Sequence, residues 1–290
     1  MSIWIEAARP KTLMASICPV MLAAALNMPL SMRGVIIFTC SLLFALFAQI
    51  GANFSNDYFD AKKGADTKQR RGPVRAVAAG LVKPESMRLA TVYVFLVSFL
   101  FASILGFYVG WAAPILGAVC ILCALSYTSG PFPLAYIGLG DLFVVLFFGF
   151  VPTGFTAYML QGAWSIEAFL MGLGAGLIST GILTVNNLRD IKEDAKNAKC
   201  TLAVRFGKKF AQAEYAFCIA LAFIMPTLVA YLLGSFTLLA VWLLFPHAIA
   251  LIRRIYTQTG AAEQNKLLGH TGRLLALYTL FFILGMLWTH

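Results

Sequence analysis

Two stretches of this sequence gather side-chain oxygens of the kind that hold a hard cation. The first reads Asn53-Phe54-Ser55-Asn56-Asp57-Tyr58-Phe59-Asp60 and continues through Lys62-Lys63-Gly64-Ala65-Asp66-Thr67; the second reads Asn186-Asn187-Leu188-Arg189-Asp190-Ile191-Lys192-Glu193-Asp194. On a helix, residues four apart stand on one face, so Asn53 with Asp57, Asn56 with Asp60, Asn186 with Asp190 and Asp190 with Asp194 form rows of carboxylate and amide oxygens. One such pair at a helix end is more often a solvated cap. Two matching pairs, each where an apolar run ends, call for a shared cation, and oxygen ligands with room for water and phosphate suit Mg²⁺. Beside them stand Lys63, Arg70, Arg71, Arg75, Lys199 and Arg205, whose ammonium and guanidinium groups match phosphate oxygens. The combination specifies a diphosphate held on Mg²⁺.

The elements that position these clusters follow from composition. Hydrophobic residues make up 60% of the 290 and charged residues only 12%, against about 25% charged in an ordinary soluble domain; mean hydropathy is +0.83. Apolar runs of roughly 18 to 22 residues recur, each long enough to cross a hydrocarbon core as a helix. Segments such as 89–107 and 220–233 are apolar on every face, which excludes the alternating strands of a membrane barrel. The expected fold is all-α, a polytopic bundle of about nine transmembrane helices around a central cavity. The spans fall at approximately 12–30, 34–57, 89–109, 112–128, 138–161, 166–187, 211–233, 236–253 and 271–289. No linker or polar block divides the chain, so residues 1–290 read as one domain. The start Trp4-Ile5-Glu6-Ala7-Ala8-Arg9 reads as a short interfacial helix leading into a retained span, not as a cleaved signal.

With these spans, every Lys and Arg except Arg33 falls on one side of the membrane. By the positive-inside rule that side is cytoplasmic, the N-terminus is inside and His290 outside. The net charge of +10 is therefore a cytoplasmic face of a cell inner membrane protein, in contact with membrane lipid. Without a nucleic-acid fold or an aromatic platform in the loops it does not point to nucleic acid. Cys18, Cys40, Cys120, Cys123 and Cys218 sit in apolar runs and Cys200 in a Lys-rich loop, so all six read as free thiols. His247 and His270 read as packing or interfacial residues.

The motif Asn-Asp-Tyr-Phe-Asp-x-x-x-Gly-x-Asp-Thr (56–67) and the motif Asn-Asn-Leu-Arg-Asp-x-x-x-Asp (186–194) resemble the two Asp-rich motifs of UbiA-type intramembrane aromatic prenyltransferases. Four more stretches carry the resemblance: Ala8–Leu13, Gly72–Val77, Tyr127–Asp141 and Thr201–Gly207. The third of these points to the branch acting on 1,4-dihydroxy-2-naphthoate. The resemblance implies transfer of a polyprenyl group from polyprenyl diphosphate to that acceptor in menaquinone biosynthesis, with loss of CO₂ and pyrophosphate. It also implies two Mg²⁺ ions held by Asn56, Asp57, Asp60, Asp190 and Asp194. Asn53, Asp66 and Asn187 are then ligands or orienters of ligands, Arg75, Lys199 and Arg205 grip phosphate oxygens, and Tyr127 and Asp141 place the acceptor. In members that act on 4-hydroxybenzoate, Tyr-x-x-x-Lys is common where this chain has Tyr127 and Pro131. That departure leaves open which cation takes the lysine's place.

Two rivals remain open. A relative could prenylate another aromatic acid, 4-hydroxybenzoate or homogentisate. Alternatively, intramembrane acids mark ion paths in cation-coupled transporters, although there they belong near the midplane and not among Lys and Arg at span ends.

Overall fold

The computed structural model describes residues 3–64, 75–130, 133–258 and 260–289, and the regular structure among them is entirely helical. A short α1 (Ile3–Ala8) leads into α2 (Pro10–Ala25), α3 (Met32–Lys62), α4 (Pro84–Val109) and α5 (Ala112–Ser126). After a non-helical stretch come α6 (Gly140–Val145) and α7 (Val151–Gln161), joined by a π turn at Leu146–Phe150. There follow α8 (Ile166–Lys196), α9 (Leu202–Ala222), α10 (Ile224–Leu233), a 3₁₀ segment Phe236–Leu244, α11 (Phe245–Thr257) and α12 (Ala261–Leu287). Among the described residues, seven helical bodies are long and apolar enough to cross a membrane, while α2 and α5 are apolar but shorter.

Hydropathy locates the apolar part of a helix, and the polar ends run on beyond it. The third helix extends to Lys62 and α8 to Lys196, past the expected ends at 57 and 187, so residues 53–60 and 186–194 remain on regular helix. The last helix likewise begins at Ala261, ahead of the expected 271. Side-chain caps fix three starts: Ser31 Oγ accepts from Gly34 N at 3.2 Å, Ser165 Oγ from Ala168 N at 3.0 Å and Thr201 Oγ1 from Val204 N at 3.3 Å, each satisfying an N–H that helix geometry leaves over. A short helix does form at the N-terminus as α1, where Trp4 meets Phe54 edge-on at 5.7 Å between ring centroids.

The main hydrophobic core joins α2 and α8 through α12, and α8 is its most enclosed member. Polar ties cross it: Tyr278 OH donates to Ala222 O at 3.0 Å, Gln212 Nε2 to Ile255 O at 2.8 Å, and Tyr215 OH bonds with Thr271 Oγ1 at 2.9 Å. In an apolar surrounding such ties hold helices together because their alternative is an unsatisfied polar group. The π turn lies directly on α8 because glycine faces glycine. A Cβ at Gly149 would stand 2.5 Å from Gly172 O, and one at Gly176 2.9 Å from Val145 O. This close crossing, of the kind small residues permit, brings the start of α6 beside the tip of α8.

Candidate active site

A cavity of about 320 Å³ lies within the bundle. One end is polar and is walled by the tips of both oxygen-rich helices: Asn53, Asn56 and Asp60 from α3, and Asn186, Asn187, Asp190, Glu193 and Asp194 from α8. Arg9, Arg75, Tyr127, Tyr136 and Lys199 complete that end. The remainder is mostly apolar, with Ala45, Ala48, Leu105, Leu116, Phe143, Phe147 and Phe155 among its walls and Ser41, Gln49, Thr156 and Ser179 among its polar exceptions. Thus residues some 130 positions apart in the chain meet around one space, the condition a shared ligand requires.

The carboxylates are held by neighbouring side chains, several of which share the cavity wall. Asp60 receives Arg75 Nη2 on Oδ2 at 3.4 Å and Tyr136 OH on Oδ1 at 3.3 Å. Asn56 Oδ1 accepts from Thr128 Oγ1 at 2.8 Å, and Asn53 Nδ2 donates to Ala8 O at 2.9 Å. On the facing helix, Arg189 Nε and Nη2 reach the two oxygens of Asp190 at 2.7 and 2.6 Å, and Lys199 Nζ stands 3.4 Å from Asp194 Oδ1. Among the described residues, no three His, Cys, Asp or Glu side chains stand together as a ready-made metal cage.

Four expected site residues stand elsewhere. Asp57 is buried but is not part of the cavity wall; its Oδ2 and Oδ1 accept from Ala76 N at 2.9 Å and Val77 N at 3.1 Å. It therefore braces the turn that carries Arg75. Lys63 lies just past the end of α3, donating to Thr128 O at 2.6 Å with its ammonium 4.5 Å from the centre of the Tyr136 ring. Partial burial lowers its pKa from the ordinary lysine value, against the opposing pull of Asp60. Arg205 donates to Cys200 O at 3.1 Å and Ile137 O at 2.8 Å, tying the loop before α6 to the loop after α8. Asp141 opens α6 beside a second, very small hollow shared with Tyr127, Asn187 and Lys199; it is buried, and its Oδ1 has no hydrogen-bond partner. Asp66, Arg70 and Arg71 lie outside the described residues.

The described residues between α5 and α6, 127–130 and 133–139, are non-helical. Their backbone is satisfied by Leu134 N to Ser126 O at 3.1 Å, Ala135 N to Tyr127 O at 3.0 Å and Cys200 N to Tyr136 O at 3.0 Å. Gly138, at φ 78°, takes a left-handed turn that other residues resist. Tyr127 walls both hollows, and burial, reinforced by Asp141, Asp194 and Asp60, raises its phenol pKa, so it keeps its proton and can donate. Among the cavity residues that the motif reading gave no role are Arg9, Thr128, Tyr136, Asn186, Glu193 and Asn197. Arg9 reaches the cavity from a left-handed backbone, φ 55°, between α1 and α2. The Arg-Pro pair at the edge of a span was its one visible signal.

The chain as a whole is similar to known proteins. The model of the UbiA prenyltransferase family matches residues 13–278, and the chain belongs to that family. It is 32% identical to the 1,4-dihydroxy-2-naphthoate octaprenyltransferase of Haemophilus influenzae, over 99% of this chain and 96% of that one. It is also 32% identical to the enzyme of the same name from Escherichia coli, over 98% of this chain and 94% of that one. Among solved structures, a UbiA homolog from Archaeoglobus fulgidus bound to DMAPP and Mg²⁺ has the same fold, with a TM-score of 0.68, 16% identity and 98% and 99% of the two chains covered. The chain is a multi-pass membrane protein and a prenyltransferase by family.

Proposed function

We propose that this protein transfers a polyprenyl group from polyprenyl diphosphate to 1,4-dihydroxy-2-naphthoate, releasing pyrophosphate and CO₂ and giving demethylmenaquinol. The carrying observation is one cavity with carboxylate and amide oxygens from α3 and α8 at one end and mostly apolar walls over the rest. The name shared by the most similar relatives supports the acceptor.

The residues divide the work as follows. Asn56, Asp60, Asp190 and Asp194 would hold two Mg²⁺, with Asn53 and Asn187 beside them; Asp66, outside the described residues, is kept as a candidate ligand or orienter. When bound, the ions neutralise charge on the diphosphate oxygens and favour its departure. Arg75 and Lys199, which already stand at Asp60 and Asp194, offer charge-assisted hydrogen bonds to the leaving group as its charge grows; Arg9 is added to them. Lys63, Arg70 and Arg71 are kept as further candidate partners of the phosphates. The apolar walls keep water from the allylic cation, and phenylalanine faces tolerate its charge. Tyr127 donates a hydrogen bond to the aromatic acid, and Asp141 accepts one from a ring hydroxyl. The C–O bond of the prenyl diphosphate breaks with its electrons leaving on pyrophosphate. The ring carbon that bears the carboxylate then forms the new C–C bond, its bond to the carboxylate breaks, and those electrons return to the ring as CO₂ departs.

The placement of residues fits a cytoplasmic site in an inner membrane. Arg33 donates to Tyr108 O at 2.6 Å near the start of α3; Asn56 lies about 23 residues along the same helix, roughly 35 Å away at 1.5 Å per residue, which matches a bilayer. The basic end bearing the cavity mouth is then cytoplasmic, and residues 1–290 form one domain. The test supplies purified protein in lipid with polyprenyl diphosphate, Mg²⁺ and each aromatic acid in turn, and follows products by mass. A prenylated naphthoquinol without its carboxyl group is expected, abolished by EDTA and by Asp60→Ala or Asp190→Ala. Product from 4-hydroxybenzoate or homogentisate alone would move the assignment to that acceptor. Ion flux without any prenylated product would remove it.

A further inference from the structure

The side chain of Arg189 is almost wholly buried, with only 1% of its surface exposed, and it forms no part of the cavity wall. Its guanidinium is instead engaged by three neighbours. Nε and Nη2 hold the two oxygens of Asp190 at 2.7 and 2.6 Å, Nη2 also donates to Asn186 Oδ1 at 2.7 Å, and Nη1 donates to Asn265 Oδ1 at 2.6 Å. Asn265 belongs to the polar first turns of α12, 76 positions away in sequence. A guanidinium so occupied is not poised to reach a diphosphate.

From this geometry we infer that Arg189, anchored by Asn265, is a positioning residue that fixes the Asp190 carboxylate for a divalent cation and makes α12 part of the metal site. The inference rests on the function proposed above. A carboxylate offers about four lone-pair directions, so a guanidinium can hold both oxygens while leaving the carboxylate able to accept from the cavity side. Arg suits the task because its planar fork fixes a carboxylate's plane as well as its place, which the single ammonium of Lys cannot do. Asn265 supplies an oxygen that keeps the fork from rotating, and Asn186, itself on the cavity wall, is held by the same nitrogen as Asp190. Partners one step behind a metal ligand commonly change affinity by about 10- to 100-fold when removed.

The experiment uses the whole protein in lipid nanodiscs without any prenyl substrate and titrates Mn²⁺ as a spectroscopic stand-in for Mg²⁺. Bound ion is read by electron paramagnetic resonance, and unfolding temperature is recorded with and without ion. Arg189→Lys is expected to weaken Mn²⁺ binding by about 10- to 100-fold, and Asn265→Ala by about 3- to 10-fold, as a weaker anchor should. Asn265→Asp, which keeps an oxygen acceptor, is expected to restore most of the loss. In turnover assays Asn265→Ala should raise the Mg²⁺ concentration for half-maximal rate and regain most of its kcat when Mg²⁺ is in excess. Variants that melt lower yet bind Mn²⁺ as tightly as the parent would overturn the inference and reduce Arg189 to a packing role. If the parent itself binds no Mn²⁺, or if Asp190→Ala binds as well as the parent, the metal site on which the inference rests fails instead.

Discussion

Replacing Asp57 separates two jobs that its motif position confounds. Its carboxylate takes the N–H groups of Ala76 and Val77 at 2.9 and 3.1 Å, and Arg75, one residue before them, reaches Asp60 at 3.4 Å. Hydrogen bonds to a charged acceptor contribute about 1.5–3 kcal/mol each. Asp57→Ala therefore forfeits at most about 3–6 kcal/mol, and the lower end applies because Val77 is only half-buried and water can replace part of its bond. Asp57→Asn keeps one oxygen and sets an amide NH₂ against the other N–H, so roughly half that loss is expected. Once the turn is loosened, Arg75 no longer has a fixed place beside Asp60. A loss of about 1.4–2.8 kcal/mol at the transition state corresponds to a 10- to 100-fold fall in kcat/KM. Melting in detergent and Mg²⁺-dependent turnover should give a lower Tm for both variants, Ala below Asn, with the Mg²⁺ for half-maximal rate unchanged within about twofold. An unchanged Tm together with a Mg²⁺ requirement raised as far as in Asp60→Ala would refute the reasoning and make Asp57 a direct ligand.

Tyr127→Phe should lower kcat/KM by about 2- to 12-fold, one hydrogen bond's worth. Because the phenol pKa is raised above the ordinary value of about 10, the deficit should be constant from about pH 6 to 9, and a deficit that varies with pH would contradict the donor role. Asp141→Asn should raise KM for the aromatic acid by about tenfold with KM for the prenyl diphosphate unchanged. Since it removes a buried carboxylate whose Oδ1 lacks a partner, its Tm should be no lower than the parent's. Gly149→Val puts bulk where even a Cβ meets Gly172 O at 2.5 Å, and overpacking of this kind costs about 1–3 kcal/mol. It should melt well below Gly34→Ala, whose added Cβ finds ordinary contact at 3.4 Å; equal melting would show that α6–α7 does not need the close crossing.

What the sequence made legible is what repeats along a helix, and what it hid is what depends on the helix's azimuth. Apolar runs announce the helices, and the Asp/Asn rows announce the tips that do the chemistry, because both are periodic in the chain itself. Which side of a row faces the cavity depends on packing elsewhere. At about 100° per residue, Asn53, Asn56 and Asp60 fall within a stripe roughly 60° wide, and these three line the cavity. Asp57 lies roughly 100° from Asn56 and reaches the 75–82 turn, a neighbour that no spacing in the motif foretells. The same rotation governs α8. Asn186, Asn187, Asp190, Glu193 and Asp194 sweep the cavity side, while Arg189, about 100° behind Asp190, is left to face α12, where Asn265 meets it. Arg205 follows the same logic through a backbone break: Gly207, at φ 83° and ψ 178°, turns the segment 202–206 away from the line of α9, and its guanidinium lands on loop carbonyls instead of in the cavity. Residue type and period thus select the helix tips that meet the ligand, whereas rotation about each axis decides which of their charges touch it and which hold the others in place.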